Sequence, residues 1–225
     1  MNLSGCTIAF DLDGTLVDTA ADLHRALNVV LAERNLPPAS LTDVRNLVGH
    51  GAPDLIARAA ARHGVIHSPE QLVALTDRYR DVYASDIAAH SQIYPGVEEA
   101  LTTLAAAGAT LCVCTNKLTH LSVQLLEAVG LASRFAAIIG ADAVPNRKPH
   151  PGHFIAAIHA ARGEVTRAMM VGDSATDVGA ARSAGAPVVL VSFGYTDTAP
   201  ELLGADAVFS NYDELAGLAA RLLQP

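Results

Sequence analysis

A parallel α/β sheet interrupted by one helical insertion is the fold class this chain of 225 residues predicts, and three observations carry that prediction. From residue 111 onward, short apolar runs rich in β-formers alternate with stretches of helical period. Gly108, Gly130, Gly163 and Gly185 follow the first four of those stretches, where a chain leaving a helix favours glycine. Between residues 17 and 91 the pattern changes to helix after helix, with no convincing strand.

Taken in order, the first strand is the apolar run at 6–10, which stops at Asp11. The insertion follows, divided into helices by Pro37-Pro38, Gly49-His50-Gly51 and Gly64. Its boundaries put residues 1–16 and 92–225 in the α/β core and residues 17–91 in a separate helical domain. Tyr94-Pro95-Gly96 marks its end, so both connections lie beside the first strand's exit and are expected to act as hinges. Further strands are expected at 111–114, 136–139, 168–171, 188–191 and 207–209, with helices near 96–107, 118–129, 152–162, 175–184 and 213–223. Right-handed crossovers then stack the strands into one sheet.

A hydrophobic content of 51% over 225 residues is ample for a core. The net charge of -8, with no local gathering of Lys or Arg, argues against nucleic-acid and anionic-membrane surfaces and favours a small-molecule partner. Three cysteines, two of them alternating in Cys112-Val113-Cys114, fit neither a disulfide framework nor a zinc pair and read as reduced core residues. No signal-peptide pattern and no apolar run of about 20 residues occurs, so a cytoplasmic protein, monomeric or homodimeric, is expected.

The chemistry gathers after the strands, where open parallel sheets bind ligands. Asp11 and Asp13, two residues apart, start on one side of the chain, while Gly14 lets the backbone turn away before Thr15. Two carboxylates in one small volume call for a cation. Taken alone, Asp-x-Asp-Gly is equally a turn after a strand. Thr115 and Asn116 offer donors at a helix start, suited to an oxyanion or to an ordinary N-cap. Lys148 can neutralise a carboxylate or a phosphoryl oxygen, and Lys117 and Lys148 are the only lysines among 15 basic residues. Asp173 and Asp177, four apart at a helix start, share a face near its positive end.

In order and spacing, Asp11-Leu12-Asp13-Gly14-Thr15-Leu16-Val17-Asp18, Thr115-Asn116, Lys148-Pro149 and Gly172-Asp173-Ser174-Ala175-Thr176-Asp177 resemble the signatures of the haloacid dehalogenase-like superfamily. Val48-Gly49-His50-Gly51-Ala52, Tyr94-Pro95-Gly96 and Lys148-Pro149-His150-Pro151 look most like its phosphoglycolate phosphatase branch. The resemblance implies a Rossmannoid core with an inserted helical cap. It also implies a Mg²⁺-dependent phosphomonoester hydrolase, acting on a small phosphorylated metabolite, with 2-phosphoglycolate first. Asp11 would be the nucleophile and Asp13 the acid and base. Mg²⁺ would be held by Asp11, the Asp13 main-chain carbonyl and Asp173. Thr115, Asn116 and Lys148 would bind the phosphoryl oxygens, with Asp177 orienting Lys148 and Gly14 and Thr15 supporting the loop. Arg45 and His50 are the candidates in the insertion for contacts to the substrate. The presence of Asp13 argues against carbon dehalogenation, and the absence of lysine from residues 17–91 argues against Schiff-base chemistry. Another small phosphate ester, pyrophosphate, a β-phosphoglucomutase-like transfer and a non-catalytic binding protein remain as alternatives.

Overall fold

The computed structural model describes residues 1–223. Strands β1 (Thr7–Phe10), β4 (Thr110–Cys114), β5 (Ala137–Ile139), β6 (Ala168–Gly172), β7 (Val188–Val191) and β8 (Ala207–Phe209) form one sheet in the order β5-β4-β1-β6-β7-β8. Every neighbouring pair is parallel, and β1 lies at the centre, with Thr7 facing Thr110 on one side and Ala168 on the other. The central strands read as unbroken apolar runs because helices cover both faces.

Strand alternation divides the interior in two. Ile8, Phe10, Leu111, Val113, Met169, Val171 and Val189 point into one cluster, on the side of α5 (Val97–Ala106) and α9 (Leu215–Leu223). Ala9, Cys112, Cys114, Met170, Val188 and Leu190 point into the other, against α7 (Pro151–Ala160) and α8 (Ala175–Ser183). Cys112 and Cys114 therefore share a face, as their alternation predicts, and all three cysteines are buried thiols. α6 (Thr119–Ala128) packs beside β5.

Between residues 20 and 84 the chain forms four helices joined by loops, α1 (Ala20–Ala32), α2 (Leu41–Leu47), α3 (Ala52–Ala61) and α4 (Pro69–Ala84), as expected. Ser40 and Ser68 open α2 and α4 with reciprocal capping boxes to Asp43 and Gln71. α1 packs on α2 and α4, and α3 packs on α4. One expectation is corrected. Val17–Asp18 (β2) is a strand, paired antiparallel with Gln92–Ile93 (β3), so the two connections of the insertion are zipped together. A two-residue strand is too short to show a period of two, and its partner stands about 75 positions away in the chain. Among the described residues, no helix is long and apolar enough to cross a membrane.

Candidate active site

The site is built where the strands end. Asp11 keeps its N–H in the ladder, donating to the Val171 carbonyl at 2.9 Å, and the chain then wraps around the Leu12 carbonyl, which accepts from Leu16 and Val17. Gly14, at φ +82, makes that reversal, and any side chain there would run into the Asp173 carboxylate and the Tyr195 ring. Asp11 and Asp13 both reach one cavity of about 110 Å³ lying between the strand ends and the helical insertion.

Lys148, wholly buried, stands at the centre. Its Nζ donates to Asp177 Oδ1 at 2.6 Å and lies 3.0 Å from Asp11 Oδ1. Burial alone would lower its pKa, but Asp11 and Asp177 outweigh that and hold the ammonium charged. Asp177 Oδ2 accepts from the N–H groups of Asp173 and Ser174 and from Ser174 Oγ, so both its oxygens are committed. Asp177 thus steers Lys148 and shapes the loop after β6; Gly172 leaves it room, since a Cβ there would overlap the Asp177 carboxyl.

Asp11, Asp173 and Asp177 bring carboxylate oxygens within 4.8 Å of one another. Burial pushes Asp11 up to about 6 although Lys148 opposes it, and burial together with Asp177 and Asp11 raises Asp173 well above the usual carboxylate range. If all three were ionised, the carboxylates would exceed the single ammonium of Lys148 by two negative charges, which is why burial and mutual repulsion raise Asp11 and Asp173 when no other cation offsets them. An all-oxygen donor set with that excess suits one hard divalent cation, and because Asp177 is committed, Asp11 and Asp173 are the side chains free to hold it.

Asp13 is gripped from two directions. Thr19 Oγ1 donates to its Oδ1 at 2.6 Å, and Lys117 Nζ bonds both oxygens at 2.9 Å. Lys117 also lies 4.5 Å from the centre of the Tyr83 ring on α4, so it joins the acidic loop to the insertion. No role for Lys117 follows from the sequence; its one signal is that it is one of only two lysines and follows Asn116.

Thr115 Oγ1 accepts from the Lys117 N–H, which leaves its own proton free to donate. Asn116 differs from expectation. Its Nδ2 donates to the Gly49 carbonyl at 2.8 Å and to the Lys148 carbonyl at 3.1 Å, so the amide ties the α2–α3 loop to the lysine loop rather than offering both protons to an anion. His153 supplies a second tie to Lys148. Its Nδ1 accepts from the Lys148 N–H at 3.2 Å, so Nε2 carries the proton and donates to the Ile139 carbonyl at 3.1 Å. Tyr195 and Gly194 were also invisible in sequence: the Tyr195 N–H donates to Asp173 Oδ2 at 2.5 Å, and a Cβ at Gly194 would overlap Asp173. Thr15 is buried in the loop, its carbonyl accepting from Tyr212 Oη at 2.7 Å.

Neither cap candidate lines the cavity. Arg45 pairs with Asp18 at 2.8 Å on the surface. His50 is exposed and borders a separate open depression, because Gly49 and Gly51, both at positive φ, turn the chain so that their backbone meets the cavity while the imidazole faces out. In their place the cavity wall carries Arg80 and Tyr83 of α4 and Arg147 of the lysine loop.

Comparison with other proteins identifies the family. A family model described as haloacid dehalogenase-like hydrolase matches residues 8–191. A Caulobacter vibrioides protein named phosphoglycolate phosphatase is 52% identical over 222 residues, covering 99% of this chain and 94% of the relative. A protein of the same name from Mesorhizobium japonicum is 44% identical, covering 96% of each chain. The crystal structure of a "predicted phosphoglycolate phosphatase" from Haemophilus somnus superposes with a TM-score of 0.89 at 31% identity, over 97% of this chain and 99% of that one.

Proposed function

For a chain that belongs to the haloacid dehalogenase-like hydrolases, we propose hydrolysis of 2-phosphoglycolate to glycolate and phosphate through a covalent phosphate ester of Asp11. The protein is a phosphatase of this family. One observation carries the mechanism: a buried cluster of Asp11, Asp173, Asp177 and Lys148 with Asp13 beside it at the mouth of a small cavity.

Asp11 attacks phosphorus, forming an O–P bond as the bond to the substrate's ester oxygen breaks. Asp13 delivers a proton to that departing oxygen. In the second half Asp13 takes a proton from water, whose oxygen attacks the phosphorus and returns the Asp11 carboxylate. Lys117 and Thr19 aim Asp13. Lys148 and the Thr115 hydroxyl draw on the phosphoryl oxygens, and Asp177 with His153 sets where Lys148 stands. Asn116 couples the lysine loop to the insertion. Mg²⁺, held by Asp11, Asp173 and the Asp13 main chain, would offset the repulsion between the attacking carboxylate and the phosphate. Residues 17–91 act as the cap domain over residues 1–16 and 92–225, hinged at the β2–β3 ribbon and excluding bulk water.

Phosphate release from a panel of 2-phosphoglycolate, sugar phosphates, nucleotides and pyrophosphate, with Mg²⁺ or with EDTA, tests this. We expect 2-phosphoglycolate to lead, and EDTA to abolish turnover. Asp11→Asn, which keeps the shape but loses the nucleophile, is expected to cut turnover by at least roughly 10⁴-fold. Activity of Asp11→Asn near that of the wild type would refute the covalent route, and a panel led by another ester would move the substrate.

A further inference from the structure

Two residues that α4 contributes to the cavity lining each carry a polar atom with no protein partner. Arg80 Nε and Tyr83 Oη are both buried and without a hydrogen-bond partner, and both residues line the cavity that Asp11 and Asp13 enter. Their spacing of three puts them side by side on one face of α4. Arg80 is not adrift, since its NH1 is anchored on Asp77 at 3.0 Å, one turn earlier, which leaves Nε facing elsewhere. Tyr83 is 1% exposed, and its buried hydroxyl keeps its proton and is a donor. Buried donors of this kind are normally paired, so a pair of them at one wall of a ligand-sized cavity points to an acceptor that arrives from outside.

Position narrows what that acceptor is. Asp13, the proton donor to the ester oxygen, is held by Lys117, and Lys117 lies against the Tyr83 ring. The path from the departing oxygen therefore runs outward past an ammonium to a phenol and a guanidinium. Arg147, beside Gly51, adds a second guanidinium to the cavity lining. The phosphoryl end of the substrate is already occupied by Lys148 and the carboxylate cluster, so this second cationic wall serves the leaving group.

We propose that Arg80 and Tyr83 form a carboxylate subsite that selects phosphate esters whose leaving group ends in a carboxylate one carbon from the ester-bearing carbon's oxygen, as in 2-phosphoglycolate. This rests on the phosphatase reading above and adds the residues that choose the substrate. The carboxylate accepts from Arg80 Nε and Tyr83 Oη; an ester with a neutral terminus gives Nε no charged acceptor beyond the Asp77 pairing of NH1 and is discriminated against. The cavity of about 110 Å³ admits a short leaving group of this kind.

The test uses the full-length protein with Mg²⁺ and two substrates that differ at one end, 2-phosphoglycolate and 2-hydroxyethyl phosphate. The quantity read is the ratio of their kcat/KM values, which is internal to each variant and insensitive to the fraction folded. The wild type is expected to favour 2-phosphoglycolate, Arg80→Gln to lower that ratio roughly 10- to 100-fold, and Arg80→Lys, which keeps a charge, to restore part of it. A ratio unchanged within about two-fold in Arg80→Gln, with 2-phosphoglycolate still hydrolysed, overturns the subsite and leaves the phosphatase reading standing. A wild type that releases phosphate from neither ester overturns that reading, and the subsite with it.

Discussion

Replacing Lys148 by methionine would show most directly how the buried charges are balanced. The Lys148 ammonium is fully buried, bonds Asp177 at 2.6 Å and stands 3.0 Å from Asp11, and it is the positive charge set against the Asp11, Asp173 and Asp177 carboxylates. Methionine fills nearly the same length without charge, so packing changes little and the loss is electrostatic. Removing one partner of a buried ion pair costs about 3–5 kcal/mol, because the remaining charges stay desolvated and unpaired. For a chain of this size, at about 2–4 °C per kcal/mol, the melting temperature in EDTA should fall by roughly 6–20 °C.

The pH dependence carries the stronger test. Without Lys148, Asp11 loses the interaction that opposes the effect of its burial, and its folded-state pKa, already raised to about 6, rises further above the unfolded value. A carboxylate raised in the folded state binds its proton more readily there, so the variant gains stability as pH falls and loses it as pH rises. Urea unfolding of both proteins in EDTA at about pH 8 and about pH 5.5 should therefore give the larger deficit at pH 8 and a smaller one at pH 5.5. A deficit below about 1 kcal/mol at pH 8, or one that does not shrink on acidification, would refute this account of the site.

Two further predictions follow from single residues. Gly14→Ala places a Cβ at φ +82 against the Asp173 carboxylate and the Tyr195 ring; left-handed strain and overpacking together should cost about 2–5 kcal/mol. A thermal midpoint within about 2 °C of the wild type would show that the loop relaxes freely. Burial, helped by Lys148, pulls the His153 imidazole down to about 4 from 6.5, so the unfolded chain takes up this proton first as pH falls. The associated stability is complete above about pH 6.5, is lost between about 6.5 and 4, and amounts at 1.36 kcal/mol per pH unit to at most about 3 kcal/mol. Unfolding free energies of wild type and His153→Asn across that window should differ in slope, and parallel curves would show that His153 takes up its proton equally in both states.

Much of the core was legible because burial on both faces leaves a mark in the chain. The run 188–191 is a strand within the stated limits, and 111–114 and 168–171 each differ by one residue, since four or five apolar residues between turn signals have few other uses. The candidate site groups were legible for a related reason. Asp11 and Asp13, and Asp173 with Asp177, follow strands directly, where buried charge needs a chemical purpose, Lys148 lies in the loop between β5 and α7, and all of them meet at one end of the sheet.

The groups that read poorly are those whose meaning depends on a distant partner. Arg80 and Tyr83 look like ordinary members of a helix with both polar and apolar faces, and only the packing of α4 over the strand ends turns them toward Asp13. Arg45 looked available to a ligand until the fold set it on Asp18. Asn116 looked like an anion donor until the fold set Gly49 and Lys148 carbonyls on its amide.

By itself, then, the sequence determined the alternation of strand and helix, the helical insertion and the identity of the carboxylates and lysine at the strand ends, because periodicity and short-range spacing record burial and local geometry. The strand order, the grip of Lys117 on Asp13 across 104 positions and the cationic wall that α4 adds to the cavity were decided only by tertiary structure. Contacts between segments far apart in the chain leave no period in either of them, and their energy exists only once the sheet has brought the segments together.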